Sequence, residues 1–234
     1  MKKDNEIEKY RRVELDLQNQ IKERDYILQQ KKQQIEQLER RVEIIDAIKQ
    51  LSSAKLSENE IRTIAREVDE AGKKYGHDPL LYVAVMATES SFRPNVNSHV
   101  GAHGLMQIMP STGSWLTSQV SKAPKSVGME EGSADELPTY RDIEGNIKLG
   151  TLYLTQLMMR YNNLRDAIFA YNLGPGTFEE RRANGGPMPV EYLGKIKSTY
   201  EKLVAQRENR ELPFHPTLDI TEDSLLAKAD VDIP

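Results

Sequence analysis

The sequence predicts an all-α chain in which a long helix precedes one compact helical domain. Three observations carry that expectation. No stretch of any length alternates apolar and polar residues as a half-buried strand would. Residues 5–50 contain neither Gly nor Pro, so nothing in them interrupts a helix. Beyond them, apolar residues recur at helical spacing between recognisable cap signals.

The first element is the long helix. Setting heptad position a at Ile7, Glu14, Ile21, Leu28, Ile35 and Val42 places Tyr10, Leu17, Arg24, Lys31, Leu38 and Ile45 at d. Nine of these twelve positions are apolar or aromatic, a coiled-coil-like seam interrupted in its middle by charge. Residues 5–50 are therefore expected to pair with a second copy or a protein partner, or to dock on the domain. The organisation read from the chain is a long helix at 1–50, a helical domain at 51–207 and an acidic, flexible tail at 208–234.

Within the domain, Ser57-Glu58-Asn59-Glu60 is a capping box opening a helix with Ile61, Ile64, Ala65 and Val68 on one face. Gly72 and Gly76 mark its end. Asp78-Pro79 starts the next helix, Asp78 as N-cap and Pro79 in the first turn. Tyr82, Val85, Met86 and Glu89 then fall at i, i+3, i+4 and i+7, so the carboxyl continues an apolar stripe. Residues 91–104, rich in Ser, Asn and Gly, read as a loop. A helix is expected from Pro110, a loop over 121–141, and a helix capped by Asp142 running to about Tyr161. Asp166–Leu173 is a short helix stopped by Gly174-Pro175-Gly176. Residues 177–189 read as a polar loop, and Val190–Ala205 as the last helix.

Composition narrows the function. The 234 residues suffice for one domain of ordinary size with extensions. With no cysteine, disulfides, thiolate metal sites and a Cys nucleophile are excluded. The net charge of −4 is concentrated in the tail, where residues 211–234 carry one basic and six acidic groups; no basic patch points to nucleic acid. The longest apolar run, Leu80–Ala87, is too short to span a membrane. Met1-Lys2-Lys3-Asp4 is followed by no apolar stretch and does not read as a secretory signal. His77, His99 and His103 lack metal-ligand spacing and the acidic tail lacks a calcium-loop pattern, so no metal or cofactor is expected.

Glu89 carries the chemistry. An unpaired carboxyl on an apolar stripe is costly to bury as an anion and escapes by holding its proton, which is what a general acid acting near neutrality requires. Periodicity alone equally allows Glu89 to be the solvent-turned end of its helix. The surrounding residues weigh against that. Thr88-Glu89-Ser90 is followed by Ser98, by Gly104-Leu105-Met106-Gln107-Ile108-Met109-Pro110, and by Ala170-Tyr171-Asn172-Leu173-Gly174-Pro175. In this order and spacing the set resembles the catalytic domain of the soluble lytic transglycosylase family (family 1, glycoside hydrolase family 23), over about residues 57–205.

The resemblance implies a lysozyme-like (goose-type lysozyme/SLT) helical domain with a sugar-binding groove. It matches Glu89 to the catalytic acid, Ser98 to a contact with the substrate N-acetyl group, and Gln107 and Met109 to the groove walls. Tyr171 and Asn172 match residues facing the acid, and Tyr192 a tyrosine bonded near it. The chain has Pro187-Met188-Pro189-Val190 where the family has an E-T pair before that tyrosine. The implied substrate is peptidoglycan glycan strands, cut to leave 1,6-anhydromuramoyl ends, with a location in the cell envelope or periplasm, or delivery by a phage or an exporting partner.

Other readings stay open at this point. The same fold could support a lysozyme-type hydrolase, and a non-catalytic wall-binding module could sit on a coiled-coil stalk. Gln107 could bond its own backbone, and Tyr171 and Asn172 could only pack their helix. Met106 and Trp115 are expected in the core.

Overall fold

A computed structural model describes residues 2–122 and 137–209. The expected tail from residue 210 onward, and residues 123–136 of the expected loop, lie outside the described residues. The described chain is helical, with eight helices and two isolated β-bridges. These are α1 (Lys2–Leu51), α2 (Glu58–Tyr75), α3 (Pro79–Ser90), α4 (Pro110–Lys122), α5 (Ile143–Tyr161), α6 (Leu164–Leu173), α7 (Pro175–Asn184) and α8 (Val190–Glu208).

The chain divides into two compact units, Met1–Val42 and Glu43–Pro234. The first is helix throughout its described length, and Ile7, Tyr10, Leu17, Ile21, Leu28, Ile35, Leu38 and Val42 of its heptad seam are all exposed. The second unit starts inside α1. Ile44, Ala47 and Ile48 sit in the main core, so the last turns of the long helix belong to the domain rather than to what precedes it.

Local chemistry explains the elements of the second unit. The capping box forms as written: Ser57 Oγ accepts from Glu60 N at 3.2 Å and Glu60 Oε2 accepts from Ser57 N at 2.7 Å. Gly76 ends α2 in the left-handed region at φ 71°. Gly72 does not end the helix. A Cβ there would lie 2.7 Å from the Pro79 ring, so its role is the close approach of α2 to the start of α3.

Helix α3 is the centre. Every residue from Pro79 to Met86 is buried, so the expected apolar stripe is in fact an apolar cylinder, covered on all sides. Helices α2 and α8 pack on it, and α5 bridges α2 and α6. Two differences from the sequence expectation have simple causes. Helix α6 starts two residues early because Asn163 Oδ1 supplies the cap, accepting from Asp166 N at 3.1 Å. Residues 177–184, expected in a loop, are helical. Pro175 begins α7 in its first turn, and one apolar anchor, the buried Phe178, holds it with its ring edge-on to Tyr161 at 5.0 Å.

One buried ionic cluster ties the ends of three helices together. Arg207 of α8 donates to both oxygens of Asp78, the α3 N-cap, at 2.8 Å each, and to Glu43 Oε1 of α1 at 2.6 Å. Tyr200 donates to Asp78 Oδ2 at 2.8 Å. Burial alone would pull the Arg207 guanidinium down, but its bonds to Asp78 and Glu43 more than offset that and hold it above its usual value. The cluster fixes α3 at the end opposite Glu89.

Candidate active site

Glu89 is the penultimate residue of α3, where the buried cylinder emerges into a cleft of about 400 Å³. The side chain is half-buried. Desolvation pushes its carboxyl up to about 7 from an ordinary 4.5, against the lowering effect of the hydrogen bond from Tyr192. Tyr192 arrives from the first turn of α8 and donates its phenolic hydrogen to Glu89 Oε1. Burial first, and the adjacent Glu89 charge second, raise both Tyr171 and Tyr192 well above a normal phenol. Both rings therefore remain hydrogen-bond donors.

The three signature segments meet through hydrogen bonds. The Ser90 hydroxyl, next to the acid, lies 2.8 Å from the Leu105 carbonyl. Tyr171 of α6 donates to the Met106 carbonyl at 2.7 Å. Asn146 of α5 accepts from Met106 N at 2.8 Å and donates to the His103 and Tyr140 carbonyls at 2.9 and 2.7 Å. The residues between α3 and α4 are thus more ordered than a plain loop, with bridges from His103 to Asn97 and Ile108. Gly104 permits the arrangement. Its φ is 79°, and a Cβ there would lie 2.5 Å from the Asn146 amide nitrogen.

Of the other residues singled out from the sequence, Ser98, Gln107, Met109, Tyr171 and Asn172 all line the cleft with Glu89. Tyr192 is not among the residues lining the cleft and meets the site through its bond to the acid. Ser98 Oγ accepts from Ala102 N at 2.9 Å and so shapes one wall. Gln107 holds φ 46°, and its amide nitrogen donates to the Gly104 and Val96 carbonyls at 2.9 and 3.2 Å. The side chain thus braces the loop through its neighbours' carbonyls rather than bonding its own backbone. Met109 is 37% exposed at the rim, and Asn172 is exposed on the opposite edge. Met106 is fully buried, and a Cβ at Gly150 would lie 2.5 Å from its sulfur.

Three contributors escaped the sequence reading. Tyr153 and Thr112 line the cleft, and the Tyr153 ring lies 5.3 Å from that of Tyr171. Asn146 braces the floor; the available signal was a lone amide in the first turn of α5, between Gly145 and Ile147. One expectation is overturned. Trp115 is 48% exposed rather than in the core, because α4 turns Gly113 and Leu116 inward instead. Among the described residues lining the cleft, Glu89 is the one carboxylate.

A half-buried acid at a cleft in an all-helical domain, bonded by Tyr192 and sharing the cleft with Tyr171, is equipped for general acid–base chemistry. The chain belongs to the family described as the transglycosylase SLT domain, which it matches over residues 66–187. It is 33% identical to a transglycosylase of Enterobacteria phage PRD1 across 54% of this chain and 38% of that protein. It is 40% identical to the soluble lytic murein transglycosylase of Escherichia coli K12 across 40% of this chain and 13% of that one. A solved structure of an inactive variant of the lytic transglycosylase Slt from Pseudomonas aeruginosa overlaps 64% of this chain and 24% of its own, at 24% identity and a TM-score of 0.42. The chain spans well under half the length of these relatives.

Proposed function

We propose that this chain is a peptidoglycan lytic transglycosylase with Glu89 as its one general acid and base. The observation that carries the reading is a carboxyl poised near neutrality in a cleft where no second described carboxylate lines the walls. Two-carboxylate glycosidases need a partner to act as nucleophile or to activate water. A single acid suffices when the substrate supplies both nucleophiles.

Glu89 gives its proton to the oxygen between N-acetylmuramic acid and N-acetylglucosamine as the muramoyl C1–O bond breaks. The substrate's own N-acetyl oxygen takes up the electron-poor C1. Glu89, now a carboxylate stabilised by the Tyr192 hydroxyl, accepts the proton of the muramoyl 6-hydroxyl as that oxygen closes on C1 and the bond from C1 to the N-acetyl oxygen breaks. The ring leaves as a 1,6-anhydro sugar and Glu89 is protonated again, so no water is consumed. General acid–base help of this kind is worth about 10²–10⁴ in rate. Ser98, Gln107, Met109, Tyr171 and Asn172 are the groove contacts in this reading.

The test is product analysis on purified sacculi beside the Glu89→Gln variant. Anhydro ends, one water lighter than reducing ends, from the wild type and none from the variant support the proposal. Reducing ends would assign a hydrolase, and intact sacculi with the wild-type protein would leave a wall-binding module. The substrate puts the site of action in the cell envelope. Among the described residues no helix is long and apolar enough to cross a membrane.

The exposed heptad seam of α1 supports a second part of the reading, that residues 5–50 pair with another helix. Glu14, Arg24 and Lys31 within the seam restrict which partner helix fits. Light scattering of the full chain and of a chain lacking residues 1–42 tests it: a monomer in both cases rules out self-pairing.

A further inference from the structure

We infer that the groove between α4 and α5 walled by Trp115 is an additional saccharide subsite, which seats one more ring of the strand bound at Glu89. This rests on the glycan-cleaving reading above. The groove holds about 450 Å³, and Thr112 and Tyr153 line both it and the Glu89 cleft, so the two cavities adjoin. Thr112 and Trp115 stand on one face of α4 at i and i+3, and Tyr153, Gln156 and Arg160 on one face of α5 at i, i+3 and i+7. Pro175 closes the end.

Trp115 is the side chain that chooses the ligand. The indole is not needed by the core, which takes Leu116 from the same helix. Large aromatic surface left open in a concave site is a binding feature rather than a packing one. A pyranose has an apolar face of C–H groups that lies flat on an aromatic ring, and hydroxyls around its edge. The groove supplies the ring in Trp115 and polar edge groups in Thr112 and Gln156, the Gln156 amide nitrogen donating to Gln119 Oε1 at 2.9 Å. Tyr153, pushed up to about 12 chiefly by burial, stays a phenol and a donor.

The alternative occupant of a murein enzyme's side groove is the peptide stem, whose carboxylates need an uncompensated cation. The cation here is Arg160, and it is committed. Its guanidinium is bonded to the Glu179 carboxylate and lies 5.5 Å over the Tyr161 ring. The charge balance therefore favours a neutral sugar.

Trp115 is the only tryptophan of the chain, which gives a direct readout. Peptide-free glycan strands titrated into the full-length Glu89→Gln protein should shift and quench its emission, and free stem peptides should not. In the active enzyme, Trp115→Ala should raise KM on long peptide-free strands about fivefold with kcat little changed, as loss of one stacking contact predicts. Trp115→Phe should recover most of that loss. Calorimetric binding of strands with unchanged emission overturns the subsite, as does a response to stem peptide alone or an unaltered KM in Trp115→Ala. If the wild-type protein neither binds strands in the calorimeter nor releases product from sacculi, the glycan-cleaving reading itself fails, an outcome distinct from a silent tryptophan.

Discussion

Tyr171 spans 65 positions of sequence to donate its hydroxyl to the Met106 carbonyl at 2.7 Å. That bond joins the floor of the cleft to α6, while the Ser90 hydroxyl at the Leu105 carbonyl joins the floor to α3. The catalytic geometry proposed for Glu89 thus depends on a loop held from three sides, the third being Asn146.

Tyr171→Phe should therefore cost more than a substrate contact. It strands the Met106 carbonyl beneath the cleft, and an unpaired buried acceptor costs about 1–3 kcal/mol. Urea denaturation should show a loss of that order. Activity should fall with it, through a KM rise where the ring only binds sugar and through kcat where it also holds the loop in place. An unchanged unfolding midpoint would mean the bond contributes nothing.

Asn146→Ala removes three hydrogen bonds at once and leaves Met106 N and Tyr140 O without their partner, while His103 O keeps only its bond from Ile108 N. The expected loss is about 2–4 kcal/mol. Gly104→Ala attacks the same contact from the other side, since the new methyl would meet the Asn146 side chain at a positive φ. The two variants share one contact, so their effects should be less than additive. A double variant whose loss equals the sum of the singles would show that Gly104 and Asn146 act independently.

Proton affinity at Glu89 sets a pH dependence with a definite sign. The acid must be protonated to start the reaction, so kcat/KM should fall as pH rises through about 7. The Tyr192 hydrogen bond lowers the Glu89 pKa by favouring the anion, so Tyr192→Phe should move the alkaline limb of the profile to higher pH while slowing the optimum rate. Stability follows the same shift. The folded value lies above the ordinary 4.5, so the contribution from the neutral acid is complete below about 4.5 and is lost as pH rises through about 7. Glu89→Gln should flatten that slope. A limb that stays put in Tyr192→Phe would detach the tyrosine from the titration.

The sequence carried the site better than it carried the elements around it. Glu89, Ser98, Gln107, Met109, Tyr171 and Asn172 converge on one cleft because motif spacing encodes fixed backbone geometry. Helix α7 escaped because Phe178 is its one large apolar residue, so no apolar period announces it. Trp115 escaped because an aromatic residue on a short amphipathic helix fits either face until the neighbours that compete for the core, Gly113 and Leu116, are placed. The brace at Asn146 is a tertiary fact, since its three partners lie on backbone groups distant or irregular in sequence.

The domain's beginning was the hardest boundary to read, and it gives the sharpest test. A helix of 50 residues without a break offers no punctuation, yet its last turns supply Ile44 and Ile48, both fully buried, and Glu43, bonded to Arg207. A chain starting at Glu43 keeps all of these; one starting at Ser52 loses them. Each buried isoleucine is worth about 2–5 kcal/mol when its packing is removed, and stranding Arg207 beside Asp78 alone weakens a cluster whose rupture costs about 3–5 kcal/mol. The 43–234 chain should thus unfold at nearly the same urea concentration as the full-length protein, and the 52–234 chain should be unfolded or lower by at least about 4 kcal/mol. Arg207→Leu in the full chain separates the ionic part from the packing part: it should cost about 3–5 kcal/mol while leaving Ile44 and Ile48 in place. Equal midpoints for the two truncations would place the start of the cooperative unit after α1.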